Sequence, residues 1–530
     1  MASVTFHGGV GEIGGNKFLV RDGDTSVMMD FGMSFAAEGR YFSEYRKARA
    51  SNVLVDMLEL GLLPRIDGLY RRDYAEHMGL AWTEEPPIDA IILTHAHIDH
   101  CGYLGYVRED IPVHCTRASE LIMRCFDETG KGHQLTELKT KFVYKDRSRW
   151  IRLPKDTRRR DIRIMSSGKR FRVGGITVEP HEVDHSLPGA CALILHTSSG
   201  TLANTADLRF HGRRARATDR FVKRCAKAGI GLLLCEGTRI SKEPETPART
   251  ERWIEREAAR IMRESGGLAV CGYPMRDLDR LESLHLAARA ADRTLVVDLK
   301  QAYLLDLFET HLPGAYPRLD EVGIFVNRGS WGLIDKGYPD EALAKDYDGW
   351  KRDFLNHPSR LDYRDISAGA KKYLYYCDDF SLQNLIDIRP QKGSTYIRSL
   401  TEPFDADMEI QERQVKNWLA KFGLIGSSRA WHQLHVSGHG DASQIRRVIE
   451  GAGAERLVPI HTERTNEARH RAMHGRVTSV RMGRTVDVGA AGGTGRYEAR
   501  AAGSRADSTA SQPWLRRRRV CSRAGAGGRP

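Results

Sequence analysis

The chain has 530 residues, 41% of them hydrophobic and 28% charged, with a formal net charge of +13. A single hydrophobic core stops growing at roughly 250–300 residues, so this length predicts two structured domains, and the composition is that of a globular chain rather than a fibrous or disordered one. No stretch approaches the roughly 18 consecutive apolar residues that span a bilayer, which argues against a membrane protein.

The N-terminus passes from Met1-Ala2-Ser3-Val4-Thr5-Phe6 straight into a glycine-rich turn. It lacks the basic segment followed by an apolar one that marks a signal or transit peptide, so a cytoplasmic location is expected. Val4-Thr5-Phe6 and Lys17-Phe18-Leu19-Val20 read as strands flanking Gly8-Gly9-Val10-Gly11-Glu12-Ile13-Gly14-Gly15, which is too rich in glycine for helix or strand. Val27-Met28-Met29-Asp30-Phe31-Gly32 reads as a strand ending in an acid, and helical periodicity runs from Val53-Leu54 to Leu62. A buried strand, Asp89-Ala90-Ile91-Ile92-Leu93-Thr94, follows.

From about 160 to 237 short strands dominate, among them Ile176-Thr177-Val178, Ala192-Leu193-Ile194-Leu195 and Gly231-Leu232-Leu233-Leu234. Between 250 and 310, helices around Trp253–Met262 and Leu278–Ala291 alternate with strands at Leu268-Ala269-Val270 and Thr294-Leu295-Val296-Val297. That alternation predicts an α/β unit with a parallel sheet as the second domain. Strand signals return at Gln433-Leu434-His435-Val436 and Leu457-Val458-Pro459-Ile460. The last forty or so residues, rich in Ala, Gly, Ser and Arg, are expected to be a disordered tail. Residues 491–530 hold nine Arg against two acidic residues, a net +7, which leaves only +6 for the rest. The nine cysteines are scattered without a CxxC pair and read as reduced thiols.

The chemistry concentrates at Thr94-His95-Ala96-His97-Ile98-Asp99-His100, directly after a buried strand. Side chains at i and i+2 of an extended segment point the same way, so His95 and His97 can reach one metal, and a turn into helix would swing Asp99 and His100 toward a neighbouring point. Further candidates stand at strand ends: His185, in His181-Glu182-Val183-Asp184-His185-Ser186; Asp207, in Asn204-Thr205-Ala206-Asp207; and His461. Imidazole with carboxylate suits zinc, and a carboxylate shared by two ions suits a binuclear site. Two ions roughly 3.5–4 Å apart can hold a bridging hydroxide and stabilise both oxygens of an in-line displacement at phosphorus, so hydrolysis is the chemistry expected.

On these residues the chain resembles the β-CASP branch of the metallo-β-lactamase superfamily, and within it the ribonuclease J family, from residue 4 to about 488. The carrying motifs are Gly8 to Gly14, Asp30, the His95–His100 cluster, His185, Asp207, Leu234-Cys235-Glu236-Gly237-Thr238 and His435-Val436-Ser437-Gly438-His439-Gly440. The resemblance implies a metallo-β-lactamase αββα sandwich (1–240, returning over 426–488) with an inserted α/β β-CASP domain (241–425) and a tail from 489. It implies that His95, His97 and His185 hold one zinc, that Asp99, His100 and His461 hold the other, and that Asp207 bridges them. Manganese is the alternative metal. Asp30 would orient ligands through hydrogen bonds. Asp99 counts among the catalytic residues with His439, the general acid for the leaving 3′-oxygen, and Glu236, which orients and charges it. His435, Ser437 and Gly438 would contact substrate phosphate.

His at position 461 is associated with RNA-acting members of the branch, so the resemblance implies an RNA partner and a 5′-to-3′ exonuclease, with endonuclease activity and a homo-oligomer also open. Relative to ribonuclease J, the chain has a longer insertion at 36–88 and no recognisable folded domain after 488. Competing readings are a DNA-acting nuclease or other hydrolase of the same fold, and a catalytically silent scaffold. Arg147, Arg149, Arg152, Lys155, Arg158, Arg159 and Arg160 around Trp150, and Arg516 to Arg519 after Trp514, are basic stretches that could guide a polyanion.

Overall fold

The computed structural model describes residues 1–489 apart from 44, 131, 143, 147–148, 153–155, 245–248, 335–336, 404–405 and 427–430. The Arg- and Gly-rich tail, with Arg516 to Arg519, lies outside the described residues.

Among the described residues two large sheets face each other. The first runs, strand by strand, Ile162–Ile164, Val113–Cys115, Ala90–Ile92, Thr25–Met29, Lys17–Asp22, Ser3–Gly8, Thr485–Asp487. The second runs Phe171–Val173, Ile176–Glu182, Cys191–Thr197, Gly200–Asn204, Leu232–Glu236, Arg456–Ile460. Strand alternation decides what each face meets. Val4, Phe6, Phe18, Val20, Ala90 and Ile92 of the first sheet pack against Leu193, Leu195, Leu232, Leu234, Val458 and Ile460 of the second in one buried layer. The intervening residues turn outward: Leu19, Met28 and Ile91 pack with Leu54 and Leu58 of the helix Val53–Glu59 and Leu121 and Ile122 of the helix Arg117–Thr129. Ala192, Ile194, Leu233 and Leu457 pack under Phe221 of the helix Ala215–Ala228 and Val448 of the helix Ala442–Ala452. Burying one such large apolar side chain contributes about 1.5–3 kcal/mol, so each alternating strand is held from both sides. The result is the expected αββα sandwich.

A third sheet is parallel throughout, in the order Arg360–Leu361, Gly323–Phe325, Thr294–Val297, Tyr373–Tyr376, Ala269–Gly272, Thr395–Arg398, His432–Gln433. Its first two helices begin on side-chain caps. Thr250 accepts from the Trp253 amide ahead of Glu251–Glu264, and Asp277 accepts from the Arg280 amide ahead of Leu278–Ala290. Ile254 and Leu281 of these helices join the same buried cluster as Leu121 and Ile122 of the sandwich, so the two units share a core.

One sequence expectation changes. The strand foreseen at 433–436 is only His432–Gln433, because Ser437 to His439 leave the sheet for the functional site; the chain quits the third sheet after 433 rather than at 425. In the basic stretch, three arginines have partners among the described residues. Arg160 is buried and donates to the carbonyls of Leu104, Val107, Arg108 and Leu135. Arg158 pairs with Glu109 and Asp156, and Arg159 with Glu137. Arg147 and Lys155 lie outside the described residues. Among the described residues no helix is long and apolar enough to cross a membrane, and Cys101, Cys115, Cys125, Cys191, Cys225, Cys235, Cys271 and Cys377 are buried and unpaired.

Candidate metal centre

The strands Thr25–Met29 and Ala90–Ile92 are parallel, as are Gly200–Asn204, Leu232–Glu236 and Arg456–Ile460, so their carboxyl ends share one edge of the sandwich. Asp30, His95, Asp207, Glu236 and His461 stand at or just past those ends. The register sets Glu236 beside Ile460, which delivers His461 next to the Glu236 turn. Asp30, Ala206 and His461 all have positive φ, at 59°, 49° and 48°. Such backbone costs of order 1–3 kcal/mol for a residue with a Cβ, and here it bends three strand ends toward one point.

That point is crowded with ligand atoms. One from each of His95, His97, His185 and Asp207 lie within 4.8 Å of one another, and so do those of Asp99, His100, Asp207 and His461. Asp207 belongs to both sets. Its Oδ2 is 3.6 Å from His95 Nε2, 3.7 Å from His185 Nε2, 3.1 Å from His100 Nε2 and 3.6 Å from His461 Nε2. Its Oδ1 is buried without a hydrogen-bond partner. His97 Nδ1 lies 2.9 Å from His95 Nε2 and 3.0 Å from His185 Nε2, and His461 Nε2 lies 3.0 Å from Asp99 Oδ2. Three imidazole nitrogens aimed at one spot, beside an orphaned buried carboxylate oxygen, form a donor set that divalent cations satisfy.

The far sides of the rings are held. His185 Nδ1 donates to the Gly438 carbonyl at 2.7 Å, leaving Nε2 as the lone-pair nitrogen. His100 Nδ1 meets Asp30 Oδ2 at 2.8 Å, and Asp30 Oδ1 also accepts from the Thr94 amide at 2.7 Å. The Thr238 hydroxyl accepts from His461 Nδ1 at 2.8 Å and donates to the His461 carbonyl. Gly14, at φ 77°, sits so close to Asp99 that a Cβ would come within 2.9 Å of Asp99 Oδ2. The glycine-rich loop thus walls the cluster with backbone.

His439 stands beside this set. Its Nδ1 lies 3.0 Å from Glu236 Oε2, its Nε2 is 3.9 Å from Asp207 Oδ2, and it stays partly open to solvent where Glu236 is buried. The segment carrying it is pinned through its carbonyls: Val436 accepts from Arg280, Ser437 from Arg209 and His211, and Gly438 from His185. The Ser437 hydroxyl accepts from the His439 amide. Ser437 and Gly438, foreseen as phosphate contacts, here position His439 and His185. His435 keeps a buried Nδ1 without a partner.

Burial disfavours charge on every group here, and neighbours decide which ones keep it. Burial holds His97 down at about 3 and pushes His95 and His185 below their ordinary range. Burial opposes protonation of His439 too, but Glu236 and then Asp207 override it and raise the imidazole to about 9. Burial would raise Asp99 and Asp207, yet His100 and His461 hold both carboxyls below the carboxylate range.

Sequence reading passed over several residues. Thr94 and Thr238 stand inside the quoted motifs, where a hydroxyl next to a ligand histidine was the available signal. Arg209, Glu251 and Arg280 carry none, and Asp184 stands in the quoted His185 motif. Arg280 donates to both Glu251 oxygens and to Ser399, and Arg209 lies 3.4 Å from Glu251 and 3.5 Å from Asp184, all buried between the sandwich and the third sheet. His181 and Asp184, which flank His185 in sequence, stay out of the cluster: His181 bonds Glu179 and Asp184 accepts from the Gly212 amide.

Comparison with known proteins follows the same outline. Residues 66–271 match the model of the metallo-β-lactamase superfamily, and residues 429–477 match a Zn-dependent metallo-hydrolase RNA specificity domain. The chain is 25% identical over 397 residues to ribonuclease J of Sinorhizobium meliloti, covering 72% of this chain and 59% of that one. It is 27% identical over 387 residues to ribonuclease J of Mycolicibacterium smegmatis, covering 71% and 58%. It thus spans less than two thirds of the length of these relatives. A crystal structure of a protein of unknown function from Enterococcus faecalis V583 shares the fold, with a TM-score of 0.68 at 22% identity over 92% of this chain and 99% of that one. The fold, the matched models and the His-rich cluster with its shared aspartate together give this chain a metallo-β-lactamase domain and a match to an RNA specificity domain, with a candidate divalent-metal centre at the strand ends.

Proposed function

We propose that the protein is a two-zinc ribonuclease of the β-CASP type, hydrolysing RNA phosphodiester bonds from the 5′ end. The observation that carries this reading is the double cluster around Asp207, with one oxygen shared between two sets of ligand atoms and the other left without a partner. The RNA specificity model over 429–477 and the ribonuclease J relatives favour RNA as substrate. On the same reading the third sheet and its helices are the β-CASP insertion, expected at 241–425 from the sequence and carried on to Gln433 by the last strand of the sheet.

His95, His97 and His185 would hold one ion, Asp99, His100 and His461 the other, with Asp207 shared. Bound there, divalent cations supply Lewis-acid polarisation of a phosphate and a nucleophile ionised near neutral pH. The chain's own residues do the rest. Asp30, Thr94, Thr238 and the Gly438 carbonyl fix ring orientation and tautomer. Glu236 accepts a hydrogen bond from His439 Nδ1–H and stabilises the doubly protonated ring, so that the proton on Nε2 faces the cluster and is available to the leaving 3′-oxygen. His435, which burial holds at about 3, and the Ser437 hydroxyl, bonded to the His439 amide, would touch substrate.

The test is end-labelled RNA bearing a 5′-monophosphate, triphosphate or hydroxyl, run beside matched DNA and beside an Asp99→Ala variant. Mononucleotides released stepwise from the 5′ end are expected. Discrete internal fragments would replace the exonuclease reading with an endonuclease, and preferential turnover of DNA would overturn the substrate.

A further inference from the structure

Arg276 is a cation whose place in the molecule the metal centre does not explain. It follows the strand Ala269–Gly272 at the carboxyl edge of the third sheet, the edge at which open parallel sheets meet their ligands. Its guanidinium reaches the sandwich, with Cζ 3.9 Å from the centroid of the Phe126 ring. Nη1 is shut off from solvent, yet among the described residues no acceptor bonds it and no carboxylate pairs with it. On the adjacent strand of the same edge the Tyr376 hydroxyl is also buried without a partner, 4.6 Å separating its ring from that of Tyr273.

A guanidinium is not deprotonated in proteins, so a buried N–H of this kind costs free energy until an acceptor arrives. Burial lowers Arg276 only to about 10, and its charge is felt at His97, Asp99 and Cys101. The positive group therefore stands within electrostatic reach of the ligand cluster, on the side supplied by the inserted sheet. Other arginines between the two units each have a carboxylate partner, although Arg209 Nη2 and Arg398 Nε are also buried without a hydrogen bond: Arg280 has Glu251, Arg214 has Asp279, Arg209 has Asp184 and Glu251, and Arg398 has Asp379. Arg276 is left with an aromatic face and no anion.

We propose that Arg276 binds a backbone phosphate of the substrate strand, next to the phosphate at the metal cluster. The planar fork suits two phosphate oxygens at once, and the Phe126 ring holds the guanidinium flat for them. The proposal rests on the ribonuclease reading above and adds to it a subsite supplied by the inserted sheet. A substrate strand held at the cluster by the sandwich and at Arg276 by the third sheet is gripped from both units at consecutive linkages.

The experiment measures anisotropy of a short labelled RNA with chelator present, so that binding is read without turnover, against salt, for the wild type, Arg276→Gln, Arg276→Lys and Phe126→Leu. Arg276→Gln is expected to bind about tenfold more weakly, as for loss of one charged hydrogen-bonding contact, and to flatten the slope of log K against log salt by about 0.7, the value for one phosphate of a single strand. A single uncharged methylphosphonate linkage, scanned along the RNA, should reproduce that loss at one position in the wild type and cause no further loss there in Arg276→Gln. Arg276→Lys should restore the slope and only part of the affinity. Unchanged affinity and slope in Arg276→Gln overturn the proposal, as does the same loss in Phe126→Leu, which would mark a packing role. A wild type that cleaves RNA while Arg276→Gln matches it removes this inference alone; a wild type that neither binds nor cleaves RNA removes the ribonuclease reading and this inference with it.

Discussion

His439 Nδ1 and Glu236 Oε2 lie 3.0 Å apart, joining the segment that leaves the third sheet to the strand end that carries the Glu236 turn. The Glu236 carboxylate is wholly buried and also accepts from the Leu208 amide at 2.7 Å, so it cannot swing away from the imidazole. Replacing it with glutamine keeps the shape and removes the charge that holds a second proton on His439. Glu236→Gln is expected to lower kcat by about 10²–10⁴, the range for a positioned proton donor, while metal content measured by elemental analysis stays that of the wild type. Loss of metal in that variant would make Glu236 a ligand instead.

Asp207 is the single side chain common to both ligand sets. Elemental analysis of purified wild type is expected to give two zinc ions per chain, and Asp207→Ala to lose both. Removing the metal with chelator should lower the unfolding midpoint, because ions bound to the folded state alone stabilise it and their loss leaves buried carboxylates and imidazoles unsatisfied. One retained zinc in Asp207→Ala would show that the two sites stand independently.

Gly438 lies against His185. A Cβ there would come within 2.7 Å of the Ser186 hydroxyl and 2.9 Å of His185 Cε1. Gly438→Ala therefore pushes the ring off the carbonyl that sets its tautomer, and metal affinity at the His95, His97 and His185 set is expected to fall about 10–100-fold, as for loss of a hydrogen bond that orients a ligand. Titration with a competing chelator reads this directly. Unaltered affinity would mean that the ring position is set elsewhere.

Glu179 offers a test of acid stability away from the metal. It receives two hydrogen bonds from Arg224, at 2.7 and 2.9 Å, with one from Arg170 and one from His181. Burial opposes its charge, but Arg224, Arg170, His181 and His196 hold its carboxyl well below the ordinary 4.5. A carboxyl lowered in the folded state contributes stability that is present above its unfolded value and lost as pH falls through the folded one. Glu179→Gln is thus expected to be less stable than wild type at about pH 7, with the gap narrowing as pH falls below the ordinary 4.5 and closing only below the lowered folded value. A gap of constant size in denaturant unfolding would trace the effect to packing.

Much of the site was legible in the chain because ligand histidines cluster where a buried strand ends. His95, His97, Asp99 and His100 fall within six positions, and the alternation of strands and the helix from 98 to 101 follow from short-range rules. The parallel insertion, too, was legible in helices and strands alternating from 250 to 310. Harder to see were the groups that hold the ligands. Thr238 meets His461 across 223 positions and Arg209 meets Ser437 across 228, and no local periodicity encodes such partners. The basic stretch makes the same point: a run of Arg carries its charge in the sequence, but only the fold shows that Arg160 spends its donors on four backbone carbonyls.

By itself, then, the amino-acid order determined which residue types could ligate metal and which segments would be strands, since both depend on neighbours a few positions apart. The tertiary structure alone decided that Asp207 sits between two ligand sets, that Gly438 fixes the His185 tautomer and that Arg276 is left without an anion. Each of those depends on burial and on distances between segments far apart in the chain, and in a low-dielectric interior it is such distances that set the worth of a charge or a hydrogen bond.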